Sequence, residues 1–473
     1  MDWEDLLPAK DCSFVFGNPP FGGAKLQSKD QRAQVRRIAA LGGTGGTLDY
    51  VTAWFITAGD YIQKSGPAGE RARIGFVATN SITQGEQVAQ LWPVLFGRCG
   101  LEIAFAHRTF AWGSDARGMA HVHVVIIGLD DRDGVPAARR LFSYTDPKGD
   151  PHESGHDVLS PYLIDGAGLA DPHLVVRQES RPINGMAKMI TGCKLIDDGH
   201  FVLSSEEREA LLEVEPGAQP FVRPLVSARE YLRGGERWVL ALHDAPPQTL
   251  ARLPQVRARI AAVRAYRERS KSGPTRKLAA TPTLYHVNVV PTAPFLVVPN
   301  VSSEKREYVP IGWLAPPNIP GQKLRLLSDA SLTDFAVLTS AMHMAWMRAV
   351  TGRLESRYMY SVGVVYNTFP LPPKDADTAP LEPLAQAILD ARTAHPGATL
   401  ADLYDPDLMP AGLLRAHQAL DRAVDRLYRP RRFTSERERV EHLFMLYERM
   451  RAPLAAAGKK KRRRRRLIRV PGK

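Results

Sequence analysis

A mixed α/β architecture is predicted: an α/β sheet domain first, an α+β domain second and an α-helical domain third. Three observations predict it. Nearly continuous apolar runs alternate with helical spacing up to about residue 147, and Pro and Gly punctuate short mixed segments over 148–375. Residues 376–456 then carry long apolar faces at i, i+3, i+4, i+7 spacing. A length of 473 residues agrees, because it exceeds one ordinary core and implies two or three domains.

In the first region, "FVF" (14–16) reads as a buried strand and 48–64, "LDYVTAWFITAGDYIQK", as a helix. "RIGFVAT" (73–79) is the next strand, 86–97 a helix, and "LEIAFAH" (101–107) and "HVHVVIIGL" (121–129) two further strands. These are too few strands for a whole doubly wound domain. The middle region, with "RWVLALHDAPP" and "APFLVVPNVSSEKREYVPIGW", reads as α+β with irregular loops. "LEPLAQAILDARTAH" and "AGLLRAHQALDRAVDRLYR" form the helical region, and 457–473 is expected to be a disordered basic tail.

No apolar run approaches the ~18 residues of a membrane span, and no signal peptide opens the chain, so a cytoplasmic protein without membrane partners is expected. Cys12, Cys99 and Cys193 show neither disulfide nor metal spacing, and no metal site is expected. The net charge of +13 resides mostly in the end of the chain: eight bases at 459–466, Arg469 and Lys473 supply ten, leaving 13 − 10 = +3 for the rest. Such a tail is attracted to any polyanion without reading its sequence.

The stretch that carries chemistry is Gly17-Asn18-Pro19-Pro20-Phe21, at the end of the first strand. Asn-Pro-Pro is also an ordinary turn. In open α/β sheets, however, ligands bind beyond the carboxyl ends of strands, and an aromatic comes directly after it here. An exocyclic amine on a nucleobase is a poor nucleophile because its lone pair is delocalised into the ring. Two acceptors aimed at its N–H groups favour the tetrahedral, nucleophilic amine. The Asn18 side-chain oxygen and the Pro19 carbonyl can supply them, since Pro has an acceptor and no donor. Phe21 can stack on a base rotated out of a duplex.

Asn-Pro-Pro-Phe resembles the catalytic motif of gamma-class N6-adenine DNA methyltransferases. The longer run "GNPPFGGAK", "LDYVTAWF", "FVATNSITQGEQV", "FAHRTFAWGSDARGMAHVHVVIIG", "VSSEKREYVPIG", "TSAMHMAWMRAVTGRLESRYMYS", "VYNTFPLP" and "LYDPDLMP" is similar to type IIL restriction-modification enzymes, in their order. The resemblance implies a partial Rossmann-like methyltransferase sheet (1–147), a DNA target-recognition domain (148–375) and a helical C-terminal domain (376–456). It implies double-stranded DNA as partner, S-adenosyl-L-methionine as methyl donor, and Asn18, Pro19, Pro20 and Phe21 as catalytic residues.

By the same resemblance, Phe110 or Trp112 stacks on the other face of the base, the alternative being a hydrophobic lid. Asp49 and Tyr50, then Thr79 and Asn80, fall where the family lines the donor and base pocket, and equally suit helix starts and loop caps. The family's main donor loop precedes the Asn-Pro-Pro-Phe strand, where thirteen residues leave no room. "GGTGGT" (42–47) reads as a flexible loop and "LIDGAGLAD" (163–171) falls in the target-recognition stretch, so neither serves as a donor loop. The chain is therefore expected to be the back half of an enzyme, completed by a separate polypeptide or surviving as a remnant.

His121 and His123 share a strand face and are expected to be packed rather than to bind metal. "MHMAWM" (342–347) is expected to be helix core. In 252–277 one acid, Glu268, interrupts nine bases, and Arg257, Arg264, Arg267 and Lys271 gather loosely on one side to track a phosphate backbone; a solvated face is the alternative. Arg306, Arg353, Arg357 and Asn367 are candidates for contacts at base edges. The reading is a site-specific adenine-N6 DNA methyltransferase; its alternatives are a non-catalytic DNA-binding specificity subunit and a structural protein that kept the fold.

Overall fold

A computed structural model describes residues 2–67, 70–112 and 122–468, without the side chains of 43–45, 122 and 454–468. The chain divides into two compact units, one made of 1–185, 345–371 and 433–473, the other of 186–344 and 372–432.

The first unit is built on a six-stranded sheet of β1 (Phe14–Gly17), β2 (Arg73–Thr79), β3 (Leu101–Trp112), β4 (Val122–Asp131), β5 (Arg139–Ser143) and β6 (His152–His156), in the order β1-β2-β4-β3-β5-β6. β1 pairs parallel with β2, Gly17 opposite Phe76. β4 is antiparallel to both β2 and β3, with Thr79 opposite Val124 and Trp112 opposite Val122. β3 and β5 are parallel. The carboxyl ends of β1, β2 and β3 and the amino end of β4 therefore meet on one rim, which gathers residues scattered over more than a hundred positions.

The parallel β1–β2 pair needs a crossover, supplied by helices Lys29–Ala39 and Thr52–Ile62. The first starts at a capping box, with Gln31 N–H on Ser28 Oγ (3.1 Å) and Ser28 N–H on Gln31 Oε1 (2.9 Å). It stops where Ala40 turns left-handed at φ 53°. The second is apolar on most sides, as a helix laid on a sheet must be, and its Phe55 ring meets Phe76 of β2 edge-on at 5.1 Å. Alternate β2 residues Ile74, Phe76 and Ala78 form that buried face. β1 is different, with Phe14 and Phe16 at 62% and 81% exposure and no second strand partner among the described residues.

The strands at 14–16, 73–79, 101–107 and 121–129 and the helix at 48–64 all appear; β3 runs five residues further, through a bulge between His107 and Phe110. "GGTGGT" forms a 3₁₀ turn, Gly42–Thr47, rather than an open loop. His121 lies outside the described residues. In the helix Ala341–Val350, Met342, Met344, Trp346 and Met347 are all at most 1% exposed, as expected of a helix core.

The second unit holds two small sheets. Strands Ile319–Pro320, Val222–Val226, Trp238–Leu240 and Val202–Leu203 lie side by side in that order, as do Gly312–Leu314, Phe295–Pro299, Leu324–Ser328 and Ile190–Thr191. Phe201, Leu203, Val239, Val256 and Val263 close the core over the helix Pro254–Glu268. Helices Leu381–Thr393 and Ala411–Tyr428 complete it.

The last helix, Glu436–Ile468, belongs to the first unit and runs through most of the basic stretch. The expected disordered tail is corrected to this extent: 457–468 continues a helix. Lys and Arg are good helix formers, and a preformed helix needs no new nucleus to extend. The three cysteines are free; burial pushes the thiols of Cys99 and Cys193 up to about 12 and about 11. No helix among the described residues is long and apolar enough to cross a membrane.

Candidate active site

β1 ends at Gly17, and Asn18 stands on the rim as an exposed residue, with Pro19 buried beside it and Phe21 half-buried. Two consecutive prolines force the chain out of the strand, since neither can donate to a ladder. No hydrogen bond among the described residues uses the Asn18 amide or the Pro19 carbonyl. Neither acceptor is therefore engaged among the described residues, Asn18 exposed and Pro19 buried.

The loop beyond Phe21 is held firmly. The Gly22 carbonyl accepts from Tyr50 N–H at 2.7 Å and from Gln27 Nε2 at 3.2 Å, and Gln27 also donates to the Leu48 carbonyl at 2.9 Å. Arg32 Nη2 donates to the Ala24 carbonyl at 3.0 Å. Asp49 is the knot: one carboxylate oxygen accepts Ala24 N–H at 3.0 Å, the other accepts the Ser81 hydroxyl at 2.6 Å. Its own N–H is bound by Gln87 Oε1 at 2.9 Å. A single carboxylate therefore fixes the loop after β1 against the loop after β2. Ser81, Gln27 and Gln87 carry no sequence signal that would have singled them out.

Thr79 ends β2 and Asn80 comes next, buried at 8% exposure, so both lie on the same rim as Asn18. Tyr50 meets Trp54 edge-on at 4.9 Å and donates its hydroxyl to Gln34 at 2.7 Å. Asp49 and Tyr50 are thus tied into the rim, with Asn80 buried on it.

The two aromatic candidates are unequal. Phe110 stacks on Tyr144 at 5.0 Å, within a cluster where the His107 ring stacks on Phe142 at 4.2 Å and hydrogen-bonds the Tyr144 hydroxyl at 2.8 Å. Burial, and then the Arg140 guanidinium, hold the His107 imidazole below its ordinary pKa. Trp112 ends β3 at 40% exposure, 6.0 Å from Phe110. Trp112 has the freer face.

In the second unit, the helix Pro254–Glu268 exposes Arg257 and Arg264, seven residues or two turns apart, and Lys271 beyond its end is exposed too. Arg267 is corrected out of this set. It is fully buried, and its five N–H donors go to five backbone carbonyls: Ile196, Leu195, Leu278, Thr281 and Leu284, at 2.9–3.1 Å. Desolvation lowers its pKa from the ordinary guanidinium value. The helix turns this one arginine inward, onto five carbonyls, of which those of Leu278 and Thr281 also accept a backbone N–H.

Arg306 is half-buried in the second unit. In the first, Arg353 is spent on its own surroundings and Arg357 is exposed. Asn367 is buried and donates to the Glu179 carbonyl at 2.7 Å, a structural role. A groove of about 330 Å³ in the second unit is lined by Lys194, Arg237, Lys323 and Gln322.

Comparison with known proteins matches the chain segment by segment. Residues 1–143 match the DNA-methyltransferase domain of MmeI, 170–373 its target recognition domain and 373–455 its C-terminal domain. DNA methyltransferase A of Bacillus subtilis (strain 168) is 35% identical over 455 residues, covering 95% of this chain and 49% of that protein. The type IIL restriction-modification enzyme MmeI, solved in complex with DNA, superposes with a TM-score of 0.86 at 38% identity, over 95% of this chain and 59% of that one. The chain thus spans about half the length of the curated relative it matches.

Proposed function

This chain belongs to the MmeI family of restriction-modification DNA methyltransferases, and from that premise we propose that its rim is the acceptor side of a site-specific adenine-N6 methyltransferase. The observation that carries the proposal is the pair of unengaged acceptors, Asn18 Oδ1 and the Pro19 carbonyl, at the open carboxyl end of β1. A flipped adenine would enter between Phe21 and Trp112 and present its amino group to both oxygens. They withdraw the two N–H groups from the ring plane and free the nitrogen lone pair. S-adenosyl-L-methionine supplies the methyl group. After transfer the nitrogen sheds a proton to water, so no metal and no tuned general base is required of these residues.

Duplex DNA is the substrate this reading requires, held by the exposed bases Arg257, Arg264, Lys271 and Arg357 and by the half-buried Arg306. Changing Arg257 or Arg264 to Ala is expected to lower the slope of log affinity against log salt by about 1 each, uniformly across sequences. A change confined to one sequence would make that arginine a base reader instead.

The methyl donor is expected to be held mainly by groups other than Asp49, Tyr50 and Asn80, either elsewhere in a longer polypeptide or on a separate one. Titration calorimetry of the 473 residues with S-adenosyl-L-methionine is therefore expected to give no measurable heat of binding. A clear one-to-one isotherm would put the donor site inside this chain. The reading as a whole is tested by sequencing that resolves N6-methyladenine, on DNA from a methylation-free host expressing the locus of this chain. One recurring modified sequence is expected; modification on cytosine, or none, would reject it.

A further inference from the structure

The segment Arg353–Met359 is a tight hairpin in the same unit as the rim. Arg353 pairs with Tyr358 and Leu354 with Arg357, so Glu355 and Ser356 alone make the turn. Glu355 sits at φ 60°, the left-handed region that two-residue hairpins normally fill with Gly or Asn. Strand alternation then divides the ribbon into two faces.

The inner face is anchored. Tyr358 is buried, and the Arg353 guanidinium lies 4.3 Å above its ring. Arg353 Nε donates to Gln84 Oε1 at 2.9 Å and Nη1 to the Ser356 carbonyl at 2.9 Å. At the root, Gly85 has φ 70°, and a Cβ there would lie 2.9 Å from the Gly352 Cα. Gln84 and Gly85 belong to the loop that begins at Asn80, so the hairpin is fixed to the rim itself.

The outer face carries Leu354, Arg357 and Met359, with Leu354 45% and Met359 36% exposed. An exposed leucine and methionine on a strained tip add nothing to the core. They match what architectural DNA-binding proteins use, an apolar wedge that enters a base step and unstacks it. Among the described residues Arg357 is paired with Glu355 on the exposed tip, at 2.6 Å, a surface contact weak enough to exchange for a phosphate.

Resting on the adenine-methyltransferase reading, we propose that this hairpin is the base-flipping wedge: Leu354 fills the gap the adenine leaves, and Arg357 holds the adjoining phosphate. The wedge does no chemistry. It stabilises the extruded state by replacing the lost stacking, and Arg353 positions it.

The test uses the full chain with two duplexes of the mapped sequence, one with 2-aminopurine at the target adenine and one with a tetrahydrofuran abasic site there. The wild type is expected to raise 2-aminopurine fluorescence several-fold and to bind the abasic duplex about 10-fold more tightly than the intact one, because extrusion is already accomplished. Leu354→Ala is expected to lose most of both effects while nonspecific duplex affinity stays within about threefold; Leu354→Phe, still able to fill the gap, keeps them. Wild-type fluorescence and abasic preference in Leu354→Ala would overturn the wedge and leave the methyltransferase reading standing. No fluorescence rise with the wild type, at the mapped adenine or its neighbours, would overturn both.

Discussion

Asn18→Ala is expected to lower adenine methylation by on the order of 10²–10³-fold or more, with duplex affinity unchanged within about threefold. The magnitude reflects where the side chain acts. A preorganised hydrogen-bond partner that strengthens as charge develops in the transition state lowers the barrier and leaves ground-state binding alone. Asn18 is exposed at the rim and bonded to no described residue, so its removal leaves no cavity and no orphaned partner in the protein. Folding should therefore survive the change. Asn18→Asp keeps an acceptor and adds a charge, and is expected to retain part of the activity. The measurement is methylation of the mapped duplex by the active system, beside duplex binding by fluorescence anisotropy. Equal loss of both would make Asn18 a structural turn residue.

Arg267→Ala should have the largest effect on stability. Its five hydrogen bonds run to carbonyls in two separate loops, 195–196 and 278–284, so one guanidinium closes the second unit against the helix that carries it. Removing it strands the Leu195, Ile196 and Leu284 carbonyls, while those of Leu278 and Thr281 keep a backbone N–H partner, and each unsatisfied buried polar group costs about 1–3 kcal/mol. Relaxation and water entry keep the sum from being additive, and a net loss of roughly 3–5 kcal/mol is expected, a large part of the ~5–15 kcal/mol that holds a domain folded. Urea unfolding monitored by tryptophan fluorescence reads it. Arg267→Lys should recover little, because an ammonium has three donors and no planar fork. Arg264→Ala, one turn away and exposed, should stay within about 0.5 kcal/mol of the parent. A normal urea midpoint in Arg267→Ala together with weakened DNA binding would restore Arg267 to the phosphate-tracking set.

Arg267 also marks where reading the sequence stops. A count of nine bases against one acid over 252–277 describes a helix surface, and for Arg257, Arg264 and Lys271 that surface is exposed. Spacing cannot reveal which turn meets a cluster of carbonyls from loops that are distant in the chain. The strand β2 is legible to the residue, because alternating apolar side chains bounded by polar ends are a local signal. β3 reads five residues short, since "RTFAW" passes through a bulge and loses the alternation on which the signal depends. The tail reads as disordered from its charge alone, whereas the helix Glu436–Ile468 enters it from a segment that is already packed.

The sequence by itself determined four of the six strands of the first sheet, the Asn-Pro-Pro-Phe turn at the end of the first of them, and the family order of the three segments. Each of these depends on neighbours within a few positions or on a motif readable in line. Only the tertiary structure decided that Asp49 ties two rim loops together, that Arg267 faces inward, and that a hairpin 269 positions beyond Gln84 is fastened to the loop after β2. Backbone conformation is chosen locally, by φ, ψ and side-chain pattern. Burial and hydrogen-bond partnership are chosen by whatever the rest of the chain brings alongside.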